Sequence, residues 1–76
     1  MAHKVVVYTR HAKRRMKWRK ISEEEIISTL SDPDEIQPLE DGKEHVYKTL
    51  EGRYIRVTRR ELESEIVVIT VVDKSD

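Results

Sequence analysis

The sequence predicts an α+β domain in which two N-terminal helices pack on one face of a mainly antiparallel sheet, in the order β-α-α-β-β-β-β. Two consecutive segments within residues 9–30 have helix-forming composition and capping residues. The dipeptides at 41–42 and 51–52 separate strand-like runs, and residues 66–72 are apolar on both faces of a strand. A chain of 76 residues has the length of one domain, so we expect residues 1–76 to form a single unit.

The N-terminal part predicts a strand followed by a surface helix. Residues 3–8 are a short β-branched run, which favours a strand. Residues 9–20 contain no Gly or Pro, and the Thr9 hydroxyl can accept a hydrogen bond from a free N–H of the first helical turn. Ala12 and Met16 form only a narrow apolar stripe, so this helix must lie on the surface.

The second helix has the strongest local signal in the chain. Ser22 and Glu25 have the spacing of a capping box, and Ile21 and Ile26 have that of a hydrophobic staple. The Pro of "SDPD" ends the helix because its ring cannot continue the hydrogen-bond ladder. The apolar face expected to pack on the sheet consists of Ile26, Ile27 and Leu30.

The remaining residues predict an antiparallel meander. Residues 35–40 contain Pro38 and so indicate an edge strand, which a two-residue turn at Asp41-Gly42 connects to residues 43–50. A second tight turn leads into residues 53–60.

The apolar run 66–72 predicts the central and most buried strand. Residues 73–76 are expected to be a frayed tail.

Strand alternation divides the polar residues between the two faces of the sheet. Ile55 and Val57 are expected to face the helices. The opposite face then carries Tyr54, Arg56, Thr58 and Arg60, together with His45 and Tyr47 of the preceding strand.

Charge is segregated along a chain that is neutral overall, with 15 basic and 15 acidic residues. Residues 8–20 contain seven Lys or Arg and no acid, and residues 21–45 contain nine acids and one Lys. Either the acidic block neutralises the basic one within the fold, or a basic surface remains that can meet phosphates.

Composition excludes several classes of protein. Without Cys the chain has no disulfide or thiolate zinc site, which fits the cytoplasm. No apolar run approaches the roughly 20 residues of a membrane helix. The spacing of His3, His11 and His45 matches no metal-binding motif, so no metal or other cofactor is expected. The absence of Asn amid many charges is typical of thermophile proteins, although a short chain can show it by chance.

Three segments carry a resemblance to a known group of proteins: "TRHAKRRM" at 9–16, the helix and Pro within 21–36, and "VVITVV" at 67–72. With this element order, the chain resembles the RelE/ParE-like toxin superfamily. It resembles more closely a small, largely uncharacterised prokaryotic domain family that is distantly related to those toxins.

The resemblance implies a RelE/ParE-like fold and a set of partners. Members of the superfamily often cleave mRNA, frequently on the ribosome, whereas the ParE branch inhibits gyrase. Many members pair with an antitoxin that covers the active surface. RNA, the ribosome and an acidic antitoxin are therefore the implied partners, and the catalytic residues differ among branches.

Metal-independent RNA cleavage needs a proton acceptor, a proton donor and a cation at the phosphate, for which His and Arg are suited. His11 and Arg15 are one helical turn apart, and His45 and Arg56 belong to the sheet. The candidate catalytic residues are His11, Arg15, His45, Tyr47 and Arg56. The candidate RNA- or phosphate-binding residues are Arg10, Arg14, Arg19, Tyr54 and Arg60.

Structural roles explain several of these residues equally well. His11 can donate to a backbone carbonyl, Arg15 and Arg19 can pack their stems on the sheet, and Trp18 is typical of a core or interface anchor. Tyr47 can serve cross-strand packing rather than base stacking. Three functions remain open: a toxin-like endoribonuclease, a non-catalytic nucleic-acid- or ribosome-binding module, and a domain that docks an acidic partner or forms a homodimer through its own acidic block.

Overall fold

A computed structural model describes residues 4–75 and shows an α+β fold in the predicted order. The elements are β1 (Val5–Tyr8), α1 (Arg10–Arg19), α2 (Glu23–Ser31), β2 (Glu35–Pro38), β3 (Lys43–Leu50), β4 (Arg53–Glu61) and β5 (Glu65–Asp73). The strands form one mixed sheet in the order β1-β5-β4-β3-β2, in which β1 is parallel to β5 and all other neighbours are antiparallel. No helix within residues 4–75 is long and apolar enough to cross a membrane.

Both predicted helix caps are present. The Thr9 hydroxyl oxygen accepts from the Ala12 N–H at 3.0 Å and donates to the Ile69 carbonyl at 2.8 Å, so the cap of α1 also binds β5. In the capping box of α2, Ser22 Oγ accepts from the Glu25 N–H at 3.1 Å, and Glu25 Oε1 accepts from the Ser22 N–H at 2.9 Å. These local bonds fix where each helix begins.

The core lies between the helices and one face of the sheet. Its buried apolar residues are Ala12, Ile21, Ile26, Ile55, Val57, Val68 and Val71. The prediction that Ile27 packs there is wrong, because its side chain is 47% exposed. Successive helical residues are about 100° apart, so turning Ile26 inward turns Ile27 outward. Thr29 is buried in α2 instead, and its hydroxyl donates to the Glu25 carbonyl at 2.8 Å.

The middle of the sheet is β4, not the apolar strand predicted to be central. Strand β5 is interior, but β1 pairs in parallel on its outer side and shifts the centre by one strand. Asp73, expected in a frayed tail, is the last residue of β5 and pairs with Ile55. Strand β2 is an edge strand, as Pro38 predicts.

Of the two predicted turns, one has the expected length. Glu51 and Gly52 form a two-residue turn with positive φ angles of 48° and 83°. The other turn spans three residues, Glu40–Gly42, because the Leu39 N–H donates to the Lys43 carbonyl at 2.8 Å and closes the ladder at that pair.

The Arg53 guanidinium, at the start of β4, joins both helices to the sheet. It donates to the Arg19 carbonyl at 2.8 Å and to the Lys20 carbonyl at 3.3 Å, where α1 ends. It also binds Glu25 Oε2 of α2 at 3.0 Å and Asp73 Oδ2 of β5 at 3.2 Å. We call these contacts the Arg53 clamp.

Replacing Arg53 with Met should lower the free energy of unfolding by about 2 kcal/mol, because charge-assisted hydrogen bonds are lost and two acids lose their cation. Urea denaturation followed by circular dichroism measures this change. Arg14→Met is the matched control: Arg14 is exposed on α1 and has no ion pair within residues 4–75, so its effect should stay within about 0.5 kcal/mol. Equal effects of the two substitutions would contradict the assigned role.

Candidate functional site

The face of the sheet turned away from the helices carries all five candidate site residues that were predicted on the strands. Ile55 and Val57 pack under the helices, so the residues that alternate with them on β4 lie on the opposite face. Directly opposed residues of antiparallel strands project to the same side. We call this side the open face; its opposed pairs on β3 and β4 are His45–Thr58, Tyr47–Arg56, Thr49–Tyr54 and Lys43–Arg60.

An aromatic row crosses the open face. The rings of Tyr47 and Tyr54 stack, with centroids 5.6 Å apart and planes 20° apart. The His45 ring lies edge-on to Tyr47, with a centroid distance of 6.2 Å. The Tyr47 hydroxyl donates to Gln37 Oε1 of β2 at 3.1 Å, which fixes one end of the stacked pair. The row therefore presents an ordered aromatic surface across β3 and β4.

The surroundings of His45 favour the neutral form of its imidazole ring. Its Nδ1 is 2.9 Å from the Thr58 hydroxyl oxygen. Partial burial lowers the pKa of His45 below its ordinary value of 6.5, and the positive charges of Arg56 and Lys74 lower it further. Because Nδ1 is engaged by Thr58, Nε2 is the ring nitrogen left to exchange a proton.

The four arginines of β4 divide by face. Arg53 and the buried Arg59 are on the helix-covered face, where Arg59 Nε binds Glu44 Oε1 at 3.1 Å. Arg56 and Arg60 are on the open face and form no ion pair within residues 4–75, and Arg56 Nε is buried without a hydrogen-bond partner in that range. We call the guanidinium groups of Arg56 and Arg60 uncommitted, because neither forms an ion pair with the residues that the structure describes.

Tyr54 differs from an ordinary surface tyrosine. Partial burial raises its pKa, and the charges of Glu35, Tyr47 and Asp34 raise it further. The Tyr54 hydroxyl therefore keeps its proton at neutral pH and is available as a donor.

The structure does not bring His11 and Arg15 to this group. Helix α1 packs through Ala12 and Met16 on the opposite face of the sheet. Within residues 4–75 no hydrogen bond, ion pair or ring contact joins His11 or Arg15 to the open face. The expected single positive surface is therefore two separate regions, because the helix that buries Ala12 against one side of the sheet cannot lie beside the other.

Helix α1 also carries two other candidate phosphate-binding residues, Arg10 and Arg14, and both are exposed. Arg19 is exposed at the end of the helix, where its carbonyl accepts from the Arg53 clamp. Trp18 is 76% exposed, so it is not a core anchor.

Sequence reasoning missed Thr58 as the partner of His45, and Arg53 as the residue that holds the helices. A signal for Thr58 was available. Once Glu51 and Gly52 form a two-residue turn, counting outward along both strands places His45 opposite Thr58. No comparable local signal identifies Arg53, since its partners come from three distant elements.

The geometry thus defines a small α+β domain whose open face carries aromatic rings and two arginines, with Glu35 of β2 opposite Tyr47. Within residues 4–75 no three His, Asp or Glu side chains lie close enough together to hold a metal ion. Residues 8–73 match the family described as a domain of unknown function, DUF4258, and the chain belongs to that family. Comparison with curated proteins found no match, and neither did comparison with solved structures.

Arg56→Ala should raise the pKa of His45, because the positive charge of Arg56 disfavours the imidazolium more than that of Lys74 does. Following the His45 ring signals by NMR as a function of pH measures the shift. Arg14→Ala removes the same charge from α1, on the other side of the sheet, and should leave the His45 titration unchanged. A His45 titration that does not move in Arg56→Ala would refute this electrostatic coupling.

His45 should also make stability pH-dependent. Since its pKa is lower in the folded protein than in the unfolded chain, the unfolded chain binds more protons as the pH falls below about 6.5. The free energy of unfolding should therefore decrease between about pH 7 and about pH 5, and less steeply in His45→Gln. Urea titrations of both proteins across this range test the sign; parallel pH profiles would contradict it.

Proposed function

We propose that the open face binds single-stranded RNA and cleaves it without a metal ion, on a domain of RelE/ParE-like architecture. The observation that carries the proposal is the aromatic row ending in a neutral His45, with the uncommitted Arg56 beside it. A base-stacking surface, phosphate-binding cations and a proton acceptor are thus adjacent on one side of one sheet.

RNA binding follows from the stacked tyrosines and the arginines. A base that stacks on an exposed aromatic ring contributes about 1–3 kcal/mol. Tyr47 and Tyr54 are half-buried and stack on each other, so the stacked pair offers its accessible ring surface to a base. The planar guanidinium groups of Arg56 and Arg60 can each bind two phosphate oxygens. Single strands fit this face because their bases are free to leave the stack.

Cleavage uses the 2′-hydroxyl of the bound RNA as the nucleophile. His45 Nε2 takes its proton, the 2′-oxygen forms a bond to phosphorus, and the bond from phosphorus to the 5′-oxygen breaks. The Tyr54 hydroxyl gives its proton to the leaving 5′-oxygen, and Arg56 stabilises the charge that develops on the phosphate. The products are a 2′,3′-cyclic phosphate and a 5′-hydroxyl, and solvent returns the protons.

The RelE/ParE-like part of the proposal is supported by the element order and by the segments 9–16, 21–36 and 67–72. On this proposal the protein acts in the cytoplasm on mRNA, free or on the ribosome. An acidic antitoxin would inhibit it by covering the open face.

A second function, RNA binding without cleavage, is favoured by one observation. The polar groups of the aromatic row already have partners in the free protein, Tyr47 with Gln37 and His45 with Thr58. Such a preordered surface suits a binding module as well as an enzyme.

The two functions are separated by His45→Gln and Tyr47→Ala, assayed with a radiolabelled single-stranded RNA. If the protein is an endoribonuclease, His45→Gln should reduce cleavage at least about 100-fold while RNA affinity changes little. Tyr47→Ala should weaken binding about tenfold by removing a stacking surface. Mass spectrometry should find the cyclic phosphate end, and a DNA oligonucleotide of the same sequence should resist cleavage.

His11→Gln is the matched control, because His11 is on α1, and it should change neither binding nor cleavage. If Arg56, Arg60, Lys43 and Lys74 each contact one phosphate, log K should fall with log salt at a slope of about −2.8, at roughly −0.7 per contact. RNA binding without any cleavage by the wild-type protein would establish the second function. Absence of RNA binding, or binding unaffected by Tyr47→Ala and Arg56→Ala, would refute both.

A further inference from the structure

The two edges of the sheet are protected to very different degrees. Exposed strand edges are commonly blocked by Pro or charged residues, because their free backbone groups can pair with another strand. Edge strand β2 contains Pro38 and Glu35. Edge strand β1 is Val-Val-Val-Tyr, without charge or Pro, and Val5 is 64% exposed and Val7 39% exposed.

The backbone of β1 has free hydrogen-bonding groups on its outer side. The Val5 N–H donates to the Ser64 carbonyl at 3.3 Å, and the Thr9 N–H donates to the Val68 carbonyl at 3.1 Å. Because backbone groups alternate in direction along a strand, the N–H and C=O groups of Val6 and Tyr8 point away from β5. These groups can form a ladder with a further strand.

Charges of opposite sign lie at the two ends of β1. Beyond its carboxyl end, α1 begins at Arg10 and carries the basic segment. At its amino end lies the turn between β4 and β5, since Val5 pairs with Glu65 and bonds to Ser64. Of the acids in this turn region, Glu61 binds Lys4 Nζ at 2.8 Å, whereas Glu63 and Glu65 form no ion pair within residues 4–75. An antiparallel copy of β1 would therefore bring each basic end beside an acidic end.

We propose that the exposed edge of β1 is a homodimer interface, in which two copies pair their β1 strands antiparallel about a two-fold axis at Val6. In this register Val6 lies opposite the partner's Val6, and Lys4 lies opposite the partner's Tyr8. All of these residues have outward-pointing backbone groups, so the complete length of β1 is paired.

Side chains on both faces fit this register. On the open face, Val5 lies beside the partner's Val7, and Val67, paired with Val7, continues the apolar strip. On the helix-covered side, a cavity of about 480 Å³ opens next to β1, and its apolar lining consists of Val6, Ile27, Leu30 and Ile66. The partner's Val6 faces the same side, so pairing extends the apolar surface beside this cavity, which Lys4, Ser31 and Glu61 also line.

Analytical ultracentrifugation of the full chain, without RNA, tests the interface. The wild-type protein should dimerise reversibly, and Val5→Lys should raise the dissociation constant at least about tenfold, because it replaces an apolar side chain with a charged one against the partner's Val7. Ile36→Lys is the control, because Ile36 is also an exposed apolar residue but lies on the other edge strand, and this variant should dimerise as the wild type does. A wild-type protein that stays monomeric at its highest soluble concentration overturns the proposal. A Val5→Lys variant that dimerises as strongly as the wild type also overturns it.

A charge exchange gives an independent test if Val5→Lys fails to fold. Arg10→Glu and Glu63→Lys should each weaken the dimer, because each places like charges together across the interface. The double variant should regain most of the lost affinity, and circular dichroism verifies that each variant is folded. Failure of the double variant to recover dimerisation would show that the strands do not pair in this orientation.

Discussion

The arrangement of the helices over the sheet depends on the Arg53 clamp. Helix α1 has no acid in its first turn and carries basic residues along its length. Repulsion between these side chains therefore destabilises the helix. The last carbonyl groups of an α-helix have no partner within the helix's own hydrogen-bond ladder. The Arg53 guanidinium supplies donors to two of them, while Glu25 and Asp73 balance its charge. Because Arg53 begins β4, the clamp also sets the position of the helix layer relative to the strand that carries Tyr54 and Arg56 on its other side.

The sequence predicted the features that depend on neighbouring residues. The capping box of Ser22 and Glu25 and the alternation that places Ile55 inside and Arg56 outside are local, and the structure confirms both. The features that were missed depend on tertiary packing. The central strand is β4 rather than β5, because β1 pairs with the outer edge of β5. The basic helix α1 is separated from the open face, because Ala12 packs on the other side of the sheet. Neither placement has a signature in a short stretch of sequence.

The open face and the β1 edge are connected by the geometry of the proposed dimer. Pairing Val6 with the partner's Val6 matches residues of the same face, so the open faces of both copies lie on the same side of one continuous sheet. Two aromatic rows would then flank a central apolar strip formed by Val5 and Val7. Such an assembly would offer one long surface to a flexible polymer, whereas each copy alone offers a short one. The dimer and the RNA-binding function nevertheless rest on different residues and are tested separately.

The exposed position of Trp18 has a spectroscopic consequence. The chain contains one tryptophan, and its indole ring is largely in contact with water while the protein is folded. Its fluorescence emission should hardly move when the chain unfolds, so this signal follows unfolding poorly. The emission maximum of Trp18 should instead report the binding of a ligand or protein to α1. A bound partner that covers the indole ring excludes water from it and shifts the emission maximum to shorter wavelengths.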